Sequence, residues 1–230
     1  MILHTCSYFS KFPRVKHGFF ESDPHILSTH RNQAMKLMTS HPIPLLTLKQ
    51  VHGNKVIEVT GVWTEEVEGD GMVTDIPRLA LGILTADCGP VLFYDPKTQI
   101  IGACHAGWRG AKDGILKATV SAMEKLGATR SNIYATLGPT IQQNNYEVGP
   151  EFPDLIGEPY ENFFYPSDKP GHHYFNLPGY ICQQLHNEGL LSIHDIKRNT
   201  FTDNFSSRRR FLSEGHHEIR SDNLSAIAII

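Results

Sequence analysis

Apolar residues along this chain fall into short runs more often than into helical stripes, and the runs end abruptly at turn-forming residues. Leu79 to Thr85 is apolar almost throughout and reads as a buried strand, halted by Ala86-Asp87-Cys88-Gly89-Pro90, where Gly89 and Pro90 break regular structure. Val91 to Tyr94 is a shorter strand, closed by an Asp95-Pro96-Lys97-Thr98 turn. Ile100 to Cys104 is a third run, and its last residue abuts His105. Ala106 and Gly107 are small enough to let the chain turn sharply into a helix that starts near Gly110 and runs toward Leu126. Its N-terminal amides would face the same cleft as Cys88 and His105, which suits an anion or a polarised oxygen. Upstream, alternating apolar residues from Leu46 lead into His52, Gly53-Asn54 turns, and Val56-Ile57-Glu58-Val59 resumes an extended pattern, so His52 is expected at a hairpin or strand edge.

Further strands are expected near 133–137 and 224–230, and helices near 111–126 and 178–188. Several strands follow one another before the first clear helix. This order predicts a mixed α/β (α+β) protein built on a mixed sheet or sheet sandwich with outer helices, in preference to a doubly wound parallel sheet.

At 230 residues the chain can bury one good core, and no linker or low-complexity stretch divides it, so a single domain over residues 1–230 is the expectation. The net charge of −3 gives no global basic field to draw in nucleic acid, and no nucleic-acid motif is present. The local run Arg208-Arg209-Arg210 reads as a solvated or phosphate-facing loop. The first residues lack the charged start and long apolar core of a signal peptide, and no segment approaches the ~20 apolar residues of a membrane span. A cytoplasmic protein with no membrane partner is therefore expected. In that reducing compartment the four widely spaced cysteines are better read as free thiols or ligands than as disulfides.

His52, Cys88 and His105 form a candidate metal-ligand set, since three protein ligands leave the fourth position of a tetrahedral zinc open to water or substrate, although any single one of the thirteen histidines reads by itself as a surface or core residue first. They are 36 and 17 residues apart, unlike the compact cysteine pairs of structural zinc sites, so the fold must bring them together. Cys104, next to His105 in a strand, would point to the opposite face and reads as a buried structural thiol. His172-His173 and His216-His217 lie in stretches rich in Gly, Pro or charge and read as exposed loops.

Four segments occur in an order that resembles the laccase-domain (YfiH-like, multicopper polyphenol oxidase) family: Gln50-Val51-His52-Gly53, Asp70-Gly71 with Thr85-Ala86-Asp87-Cys88, Cys104 to Gly110, and Leu137-Gly138-Pro139. The resemblance covers residues 46–150 firmly. It implies a zinc site made by His52, Cys88 and His105, with activity on purine nucleosides: phosphorolysis and adenosine deamination, with nucleoside and phosphate as small-molecule partners. Copper is the weaker reading, because multicopper oxidation needs His-x-His pairs and this chain has none among its thirteen histidines. The chain departs from the family pattern in two places. The segment between His17-Gly18-Phe19-Phe20 and Arg31 is short, reducing a pocket wall, and Ser221-Asp222 stands where relatives often have Gly-Arg.

The remaining site residues keep two readings each. Asp87 is a general acid or base, or else it orients a histidine. Arg109 holds phosphate or makes an ion pair, Trp108 walls the pocket or anchors the core, and Tyr146 stacks a base or simply packs. The leading function is a zinc-dependent purine nucleoside phosphorylase with adenosine deaminase activity. A cysteine hydrolase or amidase using Cys88 as nucleophile and His105 as base is the alternative, since thiolate activation and zinc ligation need the same two groups. A non-catalytic metal-binding protein is the third. The sequence leaves the oligomeric state open.

Overall fold

The computed structural model describes residues 2–23, 25–26, 28–157, 161–216 and 221–230. Its strands are β1 (Leu3–His4), β2 (Val15–Phe20), β3 (Leu45–Leu46), β4 (Val56–Glu58), β5 (Gly71–Thr74), β6 (Ala80–Thr85), β7 (Gly89–Asp95), β8 (Ile100–Ala106), β9 (Tyr134–Leu137), β10 (Glu147–Val148), β11 (Phe164–Pro166), β12 (His173–Phe175), β13 (Ser192–Asp195) and β14 (Asn223–Ile229). The α-helices are α1 (Ser7–Ser10), α2 (Arg31–Thr39), α3 (Trp108–Lys112), α4 (Ile115–Lys125), α5 (Phe152–Ile156), α6 (Leu177–Asn187) and α7 (Arg208–Ser213).

Two mixed sheets lie face to face. One has the order β1-β2-β14-β6-β3, the other β13-β9-β7-β8-β5-β4, and a small third sheet runs β10-β12-β11. Alternation along each strand sorts the side chains into layers. Ile101 and Ala103 of β8, Leu92 of β7, Leu81 and Ile83 of β6 and Ile227 of β14 form the core between the two large sheets. The opposite face of β8 and β7, with Cys104, Val91 and Phe93, packs on Ile115, Val120 and Met123 of α4 and on Ile181 and Leu185 of α6. On the far side, Leu224, Ala226 and Ala228 of β14 meet Ala34, Met35 and Met38 of α2. The architecture is the expected sheet sandwich with outer helices.

Local departures from the sequence reading have physical causes. The break after β6 falls at Ala86–Cys88, and β7 already begins at Gly89, with Pro90 tolerated at the strand start, opposite His105. The single long helix expected from Gly110 is two helices, because Gly114 adopts a left-handed conformation (φ +91°) between α3 and α4. The residues that turn at the cleft therefore open a five-residue helix, too short for its dipole to matter much. His173 is not in an exposed loop: it is half-buried in β12, its ring 6.0 Å from that of Phe164. His216 is exposed as expected, and His217 lies outside the described residues. Among the described residues no helix is long and apolar enough to cross a membrane.

Candidate active site

His105 shares strand parity with Ile101 and Ala103, and Thr85 with Leu81 and Ile83, so both side chains lie on the inner faces of their sheets at one open end of the sandwich. The loop from β6 to β7 delivers Cys88 to the same end. The third member, His52, comes from the loop before β4 in a left-handed conformation (φ 63°), which costs a residue with a Cβ and is held only by strong local contacts. Asp70 supplies them. Its carboxylate accepts hydrogen bonds from three successive backbone amides, those of Val51 (3.2 Å), His52 (3.0 Å) and Gly53 (2.8 Å), and from His105 Nδ1 at 2.8 Å. The His105 amide also donates to the Asp70 carbonyl at 2.7 Å. One fully buried carboxylate thus positions two of the three candidate ligands.

Candidate ligand atoms of His52, Cys88 and His105 lie within 4.8 Å of one another. The His52 and His105 rings sit 4.6 Å apart, nearly perpendicular. With Nδ1 of His105 committed to Asp70, its Nε2 is the nitrogen left for a ligand. Burial works against the Cys88 thiolate, but hydrogen bonds and positive charge from His105 and His52 outweigh it and lower its pKa. Burial likewise works against protonated His105, and its hydrogen bonds to Asp70 and Cys88 outweigh that and raise its pKa. Burial raises the Asp70 carboxyl, while the bonds from His105, Gly53 and Val51 bring it below the usual range. The thiolate favoured here is the metal-binding and nucleophilic form of cysteine. Cys104 behaves oppositely: wholly buried in the apolar layer under α4, its thiol is pushed up to about 12 by burial.

Gly107 is required for space. A Cβ there would stand 2.9 Å from Cys88 Sγ, closer than real Cβ atoms approach, and 3.2 Å from the His52 ring, tighter than most real contacts. The glycine in the motif thus lets β8 turn into α3 directly over the ligand set.

A cleft of about 380 Å³ opens from the cluster, with Trp108, Arg109, Tyr146, Arg208 and Arg209 in its walls. Arg109 lies over the Trp108 ring (4.9 Å) and Arg209 over Tyr146 (5.0 Å), so two guanidiniums are backed by aromatic faces. The run at 208–210 is not a loop but the start of α7, and its three arginines divide their work. Arg208 and Arg209 line the cleft, whereas Arg210 turns away to donate to the carbonyls of Thr200, Phe201, Asp203 and Phe205.

Asp87 does not orient a histidine; Asp70 does. Asp87 has a left-handed backbone (φ 93°), and its carboxylate accepts from the Thr200 hydroxyl (2.7 Å) and the Arg209 amide (2.7 Å). It caps the first turn of α7 beside Ser207, whose hydroxyl accepts from the Arg210 amide. Tyr146 packs, its ring lying against Phe152 and Phe175 while also lining the cleft, and burial raises its phenol pKa. Asp70, Arg208 and Arg209 were the site residues whose work pattern alone did not reveal.

The sequence profile of the family described as "Multi-copper polyphenol oxidoreductase laccase" matches residues 16–218. The chain belongs to this family. A protein of Rickettsia conorii named purine nucleoside phosphorylase is 32% identical over 206 residues, covering 86% of this chain and 85% of that protein. One of Deinococcus radiodurans with the same name is 46% identical over 104 residues, 44% of this chain and 40% of the relative. The fold of this family member is similar to that of the Bacillus licheniformis protein YfiH (TM-score 0.78, 24% identity, 96% and 94% of the two chains) and to that of YlmD from Geobacillus stearothermophilus (TM-score 0.77, 24% identity, 95% and 93%).

Proposed function

We propose that this chain is a zinc-dependent purine nucleoside phosphorylase that also deaminates adenosine. The observation that carries the reading is the convergence of His52, Cys88 and His105 beneath one carboxylate, at the mouth of a cleft walled by three arginines. The names of the relatives support the phosphorolysis. The donor set fits the metal: two imidazoles and a thiol of lowered pKa, with one imidazole braced by a buried carboxylate.

Zinc held by these three residues would supply a Lewis acid beside the reacting groups, on which phosphorolysis draws, and a means of acidifying water toward pH ~7, which is the chemistry adenosine deamination requires at the purine carbon bearing the amino group. The chain's own groups do the rest. Arg109, Arg208 and Arg209 hold phosphate, whose oxygen forms a bond to the anomeric carbon as the bond to the purine nitrogen breaks and the base leaves with the electron pair. Trp108 and Tyr146 back two of those guanidiniums with their ring faces. Asp87 fixes the start of α7 and so the direction in which Arg208 and Arg209 project.

Incubating the purified protein with guanosine, inosine and adenosine, with and without phosphate, tests this. Free base and ribose 1-phosphate should form only with phosphate present. Arg109→Ala should lower phosphorolysis by about 10- to 100-fold, the loss of one charge-assisted contact, while adenosine deamination, which uses no phosphate, falls far less. Base release that ignores phosphate, or equal loss of both activities, contradicts the assignment.

A further inference from the structure

The site has a second lobe. On the other side of His52 and Cys88, a space of about 270 Å³ is bounded by Leu48, Leu84, Thr85, Arg208 and Asp222. Arg208 borders both lobes, and the two differ in charge. The first carries Arg109, Arg208 and Arg209, and the carboxylate there, Asp87, is spent on Thr200 and the Arg209 amide. The second offers an unspent acceptor. Asp222 makes no hydrogen bond or ion pair among the described residues. Gln50, also in the wall, is tied to the strand, since its amide donates to the Leu84 carbonyl (2.7 Å) and accepts from the Leu84 amide (2.9 Å). Thr85 adds a hydroxyl that is buried in the same wall, 3% exposed as a residue, and has no hydrogen-bond partner among the described residues.

Asp222 is also held firmly. Ser221 before it accepts from the Ser206 hydroxyl (2.6 Å), and Asn223 after it exchanges hydrogen bonds with the Ser206 backbone (2.6 and 2.8 Å) while pairing with Thr85 across the sheet. A solvent-facing carboxylate on backbone pinned at both neighbours, beside an unsatisfied hydroxyl and two leucines, is arranged for a flat heterocycle that carries N–H donors.

We infer that the second lobe receives the purine base and that Asp222 is a specificity-determining residue favouring guanosine over inosine and inosine over adenosine. The inference rests on the phosphorolysis reading and names its substrate. Guanine presents N1–H and the 2-amino group side by side, two donors for the two oxygens of one carboxylate. Hypoxanthine presents only N1–H. Adenine has a bare acceptor nitrogen at N1, which a carboxylate oxygen repels, and beside it only the single 6-amino donor. The charge sorting places phosphate in the first lobe and leaves the base to the second.

The test is kcat/KM for the three nucleosides with phosphate, in the parent, Asp222→Asn and Asp222→Ala, together with calorimetric binding of free guanine and free adenine. The parent should prefer guanosine to adenosine by at least about tenfold. Asp222→Asn, whose amide can donate to adenine N1, should collapse that ratio by about tenfold or more, and Asp222→Ala should lose guanosine without gaining adenosine. A ratio unchanged in both variants, or a parent that prefers adenosine, overturns the inference and leaves phosphorolysis standing. If the parent cleaves no nucleoside, the phosphorolysis reading fails instead, and base binding still decides the lobe: guanine favoured by the parent but not by Asp222→Asn sustains the assignment, and equal binding overturns it.

Discussion

Asp70→Ala should lose bound metal and lower the melting temperature together. The substitution removes a fully buried carboxylate and strands four donors at once: the ring of His105 and the amides of Val51, His52 and Gly53. Removing one partner of a buried charged pair costs roughly 3–5 kcal/mol, which for a chain of this size is a fall of roughly 10 °C. The left-handed conformation of His52 is sustained by this same carboxylate, so the ligand set loses both its braced imidazole and the loop that carries its partner. Metal affinity should fall by at least the ~10- to 100-fold typical of lost carboxylate–histidine support. Thermal denaturation and elemental analysis of the variant check both effects. A protein that melts as the parent does and keeps its metal would show that Asp70 is a bystander.

His52→Ala separates the two chemistries that a Cys–His pair permits. His52 is exposed and lies outside the apolar layers, so the fold should survive its removal with little change in melting temperature. In the zinc enzyme the variant loses the metal, and phosphorolysis and deamination both fall by more than ~100-fold. In a cysteine hydrolase, Cys88 and His105 remain as nucleophile and base, and His52 is dispensable. Retained nucleoside turnover in a metal-free His52→Ala protein therefore excludes the zinc mechanism.

The sandwich was legible in the sequence because it follows from short-range pattern, apolar runs halted by small and turn-forming residues, whereas His52, Cys88 and His105 stood at such halts but were set apart from the other histidines and cysteines by the family resemblance, and the structure brings their ligand atoms within 4.8 Å of one another. Cys104 was legible too, since strand alternation alone turns it away from His105. Asp70 was visible within a motif, but its work was not, because a carboxylate that gathers three amides of a loop some 18 residues earlier leaves no periodic signal. The split of α3 from α4 turned on the backbone of a single glycine, Gly114, within a pattern that reads as continuous helix. The three arginines at 208–210 look alike in sequence, and the carbonyls of residues 200–205 distinguish Arg210 from its neighbours only once that loop has folded around it. Asp87 offered chemistry by type and position, while its actual partners, Thr200 and Arg209, lie more than a hundred residues downstream.

The central claim is that His52, Cys88 and His105 hold a zinc ion on which nucleoside phosphorolysis depends. Elemental analysis of the protein purified without chelator, run beside the phosphate-dependent release of base from guanosine and repeated on Cys88→Ser, tests it most directly. About one zinc per chain in the parent is expected, with zinc and activity lost together in the variant and activity in the chelated parent restored by added zinc. Full zinc occupancy in Cys88→Ser, or undiminished phosphorolysis by metal-free parent protein, would contradict it.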